Sequence, residues 1–590
     1  MYESSPMIPV RAYLRLLIDY LRPQKVRVAL LAVLLLIVIA LQLLNPQLIA
    51  RFLDGAVAGA SIGELLPFAI WFMIIAVTQQ GLSVLATYLA EDVGWTATNQ
   101  MRRDLAEHVM DLDMTFHKQH TPGELIERID GDVTALSNFF SAFVIKVLAN
   151  FVLIIGILLL LWRENVWVGL GLTVFSVVAM AAMLLTQAKA VPWWTAARAQ
   201  RASFFGFLGE QLGGTEDTKS NGGVGYMMYR FTNTIRAWRP TEVRGRFGFS
   251  MLWGASIASY VVGTALVFWL GSVLFGRGDL TIGSVYLVFH YTEMTRHPME
   301  QIRAQMEDFQ KAGAGIARVE ELFDRSSSLP KAGSSLVPSG PLSVEFEGVT
   351  FAYDDGDGHA DRVLHNITCA IGAGRVVGVL GRSGSGKTTL ARLLTRLYDP
   401  QEGVVRLGGI AAPEADVEDL RRHVGMVTQD VQLFRASVRD NLTFFDPSVS
   451  DEHLRAVIEE LELTPWLDSL SEGLDTELGA GGGGLSAGQA QLLAFTRIFL
   501  KNPGLVILDE ASSRLDPATE AMIERAVGKL LTNRTGFIIA HRLDTVTRAD
   551  DILIIEDGHI IEYGPRAELV KDPDSHFSQL LATGMEEVLA

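Results

Sequence analysis

Six stretches of this chain are apolar for long enough to cross a hydrocarbon core of ~30 Å, and little choice of fold is left once that is so. They cover about 26–49, 64–90, 139–162, 165–186, 249–275 and 280–298. A helix pairs its backbone N–H and C=O groups within one segment, as a dry core demands, so six membrane helices are expected. The last stretch is the least apolar, since it carries His290, Glu293, Arg296 and His297. Apolar residues make up 49% of the 590, but their excess ends near residue 300, so a membrane half precedes a soluble half.

Charge sets the orientation. The short loops after the first, third and fifth stretches hold one arginine each: Arg51, Arg163 and Arg277. The long intervals 91–138 and 187–248 are rich in Lys and Arg, which places them, the N-terminus and the soluble half in the cytoplasm. Both intervals keep a helical rhythm apart from one break each, His120-Thr-Pro-Gly123 and Gly213–Gly223. Residues 8–22 set Leu14, Leu17, Ile18 and Leu21 on one face, flanked by Arg11, Arg15 and Arg22, as in a helix lying on the membrane surface. Trp193 and Trp194 are expected to anchor at the interface. The first 25 residues show no signal-peptide pattern. A net charge of −17 argues against nucleic-acid binding. The single cysteine, Cys369, excludes an internal disulfide framework and fits a reducing compartment. His290, Glu293 and His297 share a helical face; they line a cavity or belong to a cytoplasmic helix end already in water.

The membrane half ends near Phe323, residues 324–341 have linker composition, and 342–590 alternates strands with helices, with a helical lobe inserted over about 430–500. Here Gly381-Arg-Ser383-Gly384-Ser385-Gly386-Lys387-Thr388-Thr389 follows the apolar run Arg375–Leu380 and precedes a helical pattern. Glycines bring backbone N–H groups onto phosphates at a helix N-terminus. Lys387 neutralises the β- and γ-phosphates and the Thr388 hydroxyl reaches Mg²⁺. The strand Leu505–Leu508 ends in Asp509 and Glu510: the first is placed to hold Mg²⁺ through water, the second to orient or deprotonate the attacking water. Phe537-Ile-Ile-Ala ends in His541, suited to a γ-phosphate contact. Gln429, at a strand-to-loop boundary, is placed to ligate Mg²⁺ or touch the water, and Tyr353 offers a face for adenine.

Leu485-Ser486-Ala487-Gly488-Gln489 follows the phosphate loop and Gln429 and precedes Asp509-Glu510 and His541. In that order, over nearly the whole chain, the sequence resembles the ATP-binding cassette (ABC) transporter superfamily and looks like a half-transporter of the exporter type. The resemblance implies an all-α six-helix transmembrane domain (1–323), a linker (324–341) and an α/β P-loop nucleotide-binding domain (342–590), with ATP and Mg²⁺ as cofactors. It implies that Ser486, Gly488 and Gln489 belong to a signature motif contacting ATP on the opposite cassette, and that Asp516 sits in the loop linking the two sites. It also implies coupling helices at Thr121–Glu124 and around Gly213–Gly222. One cassette holds half of each site, so a second half-transporter is the expected partner, in a bilayer that is expected to be a bacterial inner membrane. The family's second signature glycine is Ala487 here, its arginine is Leu492, Arg514 is unusual, and Gly479–Gly484 lacks the usual acid and base. These departures favour a different chain as partner over a second copy. Export by alternating access is the leading expectation; an importer on the same fold and an ATP-gated channel or regulatory subunit are the alternatives. The transported molecule is not legible.

Overall fold

The structure, a computed structural model, describes residues 18–136, 147–329, 333–354, 362–429, 431–479, 485–509, 517–540 and 543–583. The chain forms two compact units, Met1–Met110 with Pro122–Arg325, and Asp111–Thr121 with Ser326–Ala590.

The first unit is helical: α1 (Lys25–Val57), α2 (Ile62–Asp111), α3 (Ala149–Glu164), α4 (Val166–Gly213), α5 (Val224–Gly276) and α6 (Ile282–Asp324). By length and composition α1, α2, α4 and α5 can each cross a membrane. The described part of α3 has 16 residues, and the start of its expected stretch, 139–146, lies outside the described residues. The surface helix expected over 8–22 lies mostly outside them too; Ile18–Leu21 are helical. The polar intervals are largely helical, as their rhythm predicts: α2 runs into the first as far as Asp111, and α4 and α5 carry the second, which breaks only around the short helix Thr215–Ser220.

Small residues let α4 and α5 approach. A Cβ on Gly263 would stand 2.6 Å from Phe175 Cζ, and one on Gly248 3.2 Å from Ala190 Cβ. Ile157, Val168, Val267 and Tyr291 are fully buried between helices. The Tyr291 hydroxyl donates to Leu43 O at 2.7 Å and accepts from Gln47 Nε2 at 3.2 Å, which satisfies a polar group where water is absent. Leu30, Ile70, Val178 and Phe268 are exposed apolar residues on the outer face, as a helix bundle in lipid requires.

The second unit is built on two sheets. Four antiparallel strands run in the order β2 (Arg362–Ile371), β1 (Val344–Ala352), β4 (Glu402–Leu407), β5 (Ile410–Ala411). Six more run β10 (His559–Pro565), β9 (Asp551–Glu556), β3 (Val376–Leu380), β8 (Thr535–Ile539), β7 (Leu505–Asp509), β6 (Val424–Val427). From β9 to β6 every pairing is parallel, so the carboxyl ends of five strands share one edge, where ligands bind in open sheets of this kind. The helical lobe packs Leu454, Ile458, Leu467 and Phe495 into one core with β7 and β8. The segment read as a linker is held at its end: Ser335 N donates to Glu414 O (3.1 Å) and Val337 N to Asp419 Oδ2 (2.8 Å).

Residues 111–121 belong to this second unit. Asp113 caps the helix Met114–Gln119 by accepting from Thr115 N (2.9 Å) and Phe116 N (3.1 Å), and its other oxygen accepts from Ser328 N (2.5 Å). Burial pushes the carboxyl upward, but the N–H groups of Ser328, Phe116 and Thr115 outweigh it, so the group titrates below the ordinary carboxylate range. A depressed folded value means the cap is intact above the unfolded value of ~4 and is lost as pH falls through the lower folded one. The expected result is that the Thr115, Phe116 and Ser328 amides lose exchange protection on acidification, while Asp113→Asn makes their protection independent of pH; a pH-independent wild type contradicts this role.

Candidate functional site

β3 is buried along its whole length and delivers the chain to the shared edge. The loop that follows turns on glycines. Gly381 (φ +151°) has no room for a side chain, because a Cβ would stand 2.1 Å from Ile555 O. Gly386 (φ +104°) is the N-cap of α7 (Lys387–Leu394), and a Cβ there would stand 2.6 Å from Leu364 Cδ2. Lys387, 4% exposed, donates from Nζ to Gly381 O (2.6 Å) and Arg382 O (2.9 Å), so the ammonium is held inside the loop at the helix N-terminus. Ser383 and Gly384 are exposed at the tip, and Thr388 is half-buried. Ser385 is 4% exposed and its Oγ has no hydrogen-bond partner. A buried orphan hydroxyl in a glycine-rich loop at a helix N-terminus fits a phosphate oxygen.

Thr389 and Tyr353 meet: their hydroxyls are 3.1 Å apart, and Arg392 donates to the Tyr353 hydroxyl at 3.0 Å. The Tyr353 ring packs edge-on against Phe351 and Tyr398, with Lys118 Nζ 4.6 Å from its centroid. Gln119 Nε2 donates to Asp354 O at 3.3 Å. The helix of 114–119 therefore touches the strand end expected to receive adenine, a contact across more than 200 residues that no local pattern signals.

Asp509 is 6% exposed at the end of β7, and Gln429 is exposed just past the end of β6, so both lie at the carboxyl edge with the loop after β3. A buried carboxylate, a carboxamide and a hydroxyl, all oxygen donors, fit a hard cation such as Mg²⁺. Glu510, His541 and Asp516 lie outside the described residues.

The signature stretch opens α8 (Ala487–Lys501). Ser486 Oγ accepts from Gln489 N (3.2 Å) and Gln489 Oε1 accepts from Ser486 N (2.9 Å), a reciprocal capping box. Its signal, S-x-x-Q before an apolar helix, stands in the sequence within the signature itself. Ala487 is exposed and Gly488 buried.

Arg497, on the same helix, is a positioning residue that no local sequence pattern marks. Its guanidinium donates to Asn441 O (2.6 Å), Gln432 O (2.9 Å) and Asn441 Oδ1 (3.1 Å) and lies 4.6 Å from the Phe444 centroid. Burial pulls its pKa down to about 10. Asn441, fully buried, also receives Phe434 N at 2.8 Å. Through Arg497 the signature helix grips the segment that follows Gln429. Arg497→Met removes the guanidinium donors to Asn441 O and Gln432 O and one of the two donors to Asn441 Oδ1, and an expected loss of about 2–4 kcal/mol shows as a lower thermal midpoint of the full chain in nanodiscs. An unchanged midpoint would remove Arg497 from this role.

In the first unit, His290 stacks on Tyr286 (5.6 Å between centroids), Glu293 Oε2 is buried without a hydrogen-bond partner, and His297 shares a 3.3 Å contact with Gln301. All three stay along α6.

Two family models match the chain: "ABC transporter transmembrane region" over residues 28–297 and "ABC transporter" over residues 364–513. The "ATP-dependent lipid A-core flippase" of Pseudomonas aeruginosa is 30% identical over 535 residues, covering 88% of this chain and 86% of that protein. The "Uncharacterized ABC transporter ATP-binding protein YfiC" of Bacillus subtilis is 26% identical, covering 95% and 92%. Among solved structures, a bacterial Atm1-family ABC exporter with ATP bound superposes with a TM-score of 0.78 at 25% identity, covering 95% of this chain and 98% of that one.

Proposed function

Because the chain belongs to the ABC transporter family, we propose that it works as one of two half-transporters, holding ATP between its own phosphate loop and the signature of its partner and moving its cargo outward. The exporter-type helical domain and the nucleotide-binding domain, joined in one chain, couple ATP hydrolysis to transport. The observation that carries the site reading is the loop after β3, with its buried ammonium and its orphan Ser385 hydroxyl at the carboxyl edge of a parallel sheet.

In this reading Gly381 to Thr389 wrap the phosphates, with Lys387 turned from the loop carbonyls to the β- and γ-phosphates. Tyr353 supports the adenine. Glu510 takes the proton of the attacking water, and His541 and Gln429 fix the γ-phosphate and that water. Mg²⁺, when bound, neutralises phosphate charge; Thr388, Gln429 and, through water, Asp509 would hold it. Ser486, Gly488 and Gln489 face the partner's nucleotide, and Asp516 links the two sites. The N-terminus and the cassette lie on the cytoplasmic side of a bacterial inner membrane, as the arginine-rich intervals support.

The partner is a different half-transporter. This chain's phosphate-loop side carries every expected residue, while the signature it lends to its partner has the extra methyl of Ala487. The test is steady-state ATPase of the chain purified alone in lipid nanodiscs, two copies to a disc. Intact ATP binding with little turnover is the expected result. Full turnover that Glu510→Gln abolishes overturns the heterodimer and leaves a working homodimer.

A further inference from the structure

A base stacks best on an aromatic ring whose plane is already fixed, because a ring ordered only on binding loses rotamer freedom that offsets the stacking. Tyr353, half-buried just past the end of β1, is fixed from several sides. Phe351 (4.9 Å between centroids) and Tyr398 (5.2 Å) meet its ring edge-on, and Lys118 Nζ stands 4.6 Å from its centroid. Among the described residues, the hydroxyl is held by α7 alone, through Thr389 and Arg392.

Arg392 directs its charge at a neutral group. It is half-buried and forms no ion pair among the described residues; its one side-chain hydrogen bond there runs from Nη1 to the Tyr353 oxygen at 3.0 Å, with Cζ 5.8 Å from the ring centroid. A hydrogen bond with a charged donor is stronger than a neutral one, so this contact fixes the ring more firmly than an ordinary hydroxyl pair does. The Tyr353 oxygen accepts from Arg392, and its own proton is left for Thr389 Oγ1 at 3.1 Å. Thr389 and Arg392, three residues apart, lie on one face of α7, and α7 starts at Lys387 in the phosphate loop. One phenol hydroxyl thus ties the ring to the helix that carries the phosphate site.

We propose that Arg392 is a positioning residue for the base: it acts through Tyr353, locking the hydroxyl onto α7 so that the platform for adenine keeps a fixed place relative to the phosphates. The role rests on the reading of Tyr353 as that platform. A residue that merely supports the cassette would affect base and phosphates alike, whereas a positioning residue for the base affects only a ligand that has one.

The experiment is titration calorimetry of the full chain in nanodiscs with Mg²⁺ present and two probes. One is the non-hydrolysable β,γ-imido analogue of ATP; the other is inorganic tripolyphosphate, which has the phosphates and no base. Arg392→Leu is expected to weaken the analogue about fivefold and to leave tripolyphosphate within about twofold of wild type. Arg392→Lys, which still donates to the hydroxyl, keeps the analogue within about twofold. Tyr353→Phe, which keeps the ring and removes the hydroxyl, matches Arg392→Leu, and the double variant is no weaker than either alone, as one shared contact requires.

Equal binding of the analogue by Arg392→Leu, while Tyr353→Ala weakens it about tenfold, overturns the proposal and leaves the adenine platform standing. Additive losses in the double variant, or an equal loss for tripolyphosphate, also overturn it, by making Arg392 a general support of the cassette. Wild-type binding of the analogue by Tyr353→Ala strikes the platform reading itself, and the proposal with it.

Discussion

In Lys387→Ala, ATP binding falls by about a hundredfold, and hydrolysis becomes undetectable at millimolar nucleotide. Two losses combine. The ammonium is held by the loop at the helix N-terminus, and hydrogen bonds to charged groups contribute about 1.5–3 kcal/mol each, so removing one or two accounts for that factor. The carbonyls of Gly381 and Arg382 also lose the donor that holds the loop closed before nucleotide arrives. Lys387→Arg is no rescue, because a planar fork does not fit a cavity in which the present side chain is 4% exposed. Titration of a fluorescent ATP analogue onto the full chain in nanodiscs measures the effect; affinity within threefold of wild type would place the phosphates elsewhere.

Gly381→Ala acts on the same loop from its other end. The new methyl would meet Ile555 O at 2.1 Å, a backbone atom of a central strand that cannot swing away, so β3 and β9 must separate or the loop must leave its path. The backbone conformation at Gly381 is also one that side chains rarely adopt, and the two costs together exceed about 4 kcal/mol. The expected outcome is loss of nucleotide binding together with a lower thermal midpoint. Gly384→Ala is the comparison: a Cβ there meets nothing within 4 Å, and only the strain of its φ of +82° is added, so it lowers the midpoint less. A Gly381→Ala protein that binds ATP and melts as wild type would mean that this strand–loop junction is not as tight as described.

What the sequence made legible were features written locally. The Gly381–Thr389 run names its own strand–loop–helix context, and apolar length marks the membrane stretches. Contacts between distant residues left no such trace. Nothing near Lys118 announces Tyr353, and nothing near Arg497 announces Asn441, because each pair is joined by the path of the fold and not by spacing. The helical rhythm of the second polar interval marks helices that outlast the apolar stretches, and α4 and α5 do run on through it, where residues such as Ala190, Gly245 and Gly248 keep them packed. The linker composition of 324–341 hid an attachment made by backbone groups, which side-chain patterns do not report.

The most direct measurement is phosphate release by the membrane complex purified through a tag on this chain from its own host, wild type against Glu510→Gln. Removing the general base lowers hydrolysis about 10²–10⁴-fold while leaving the groups that bind ATP untouched. The expected result is therefore a wild-type complex that turns over ATP and a Glu510→Gln complex that binds ATP equally well and releases almost no phosphate. A Glu510→Gln complex releasing phosphate at the wild-type rate would contradict a site in which this chain's own strand end, beside its own phosphate loop, performs the hydrolysis that drives transport.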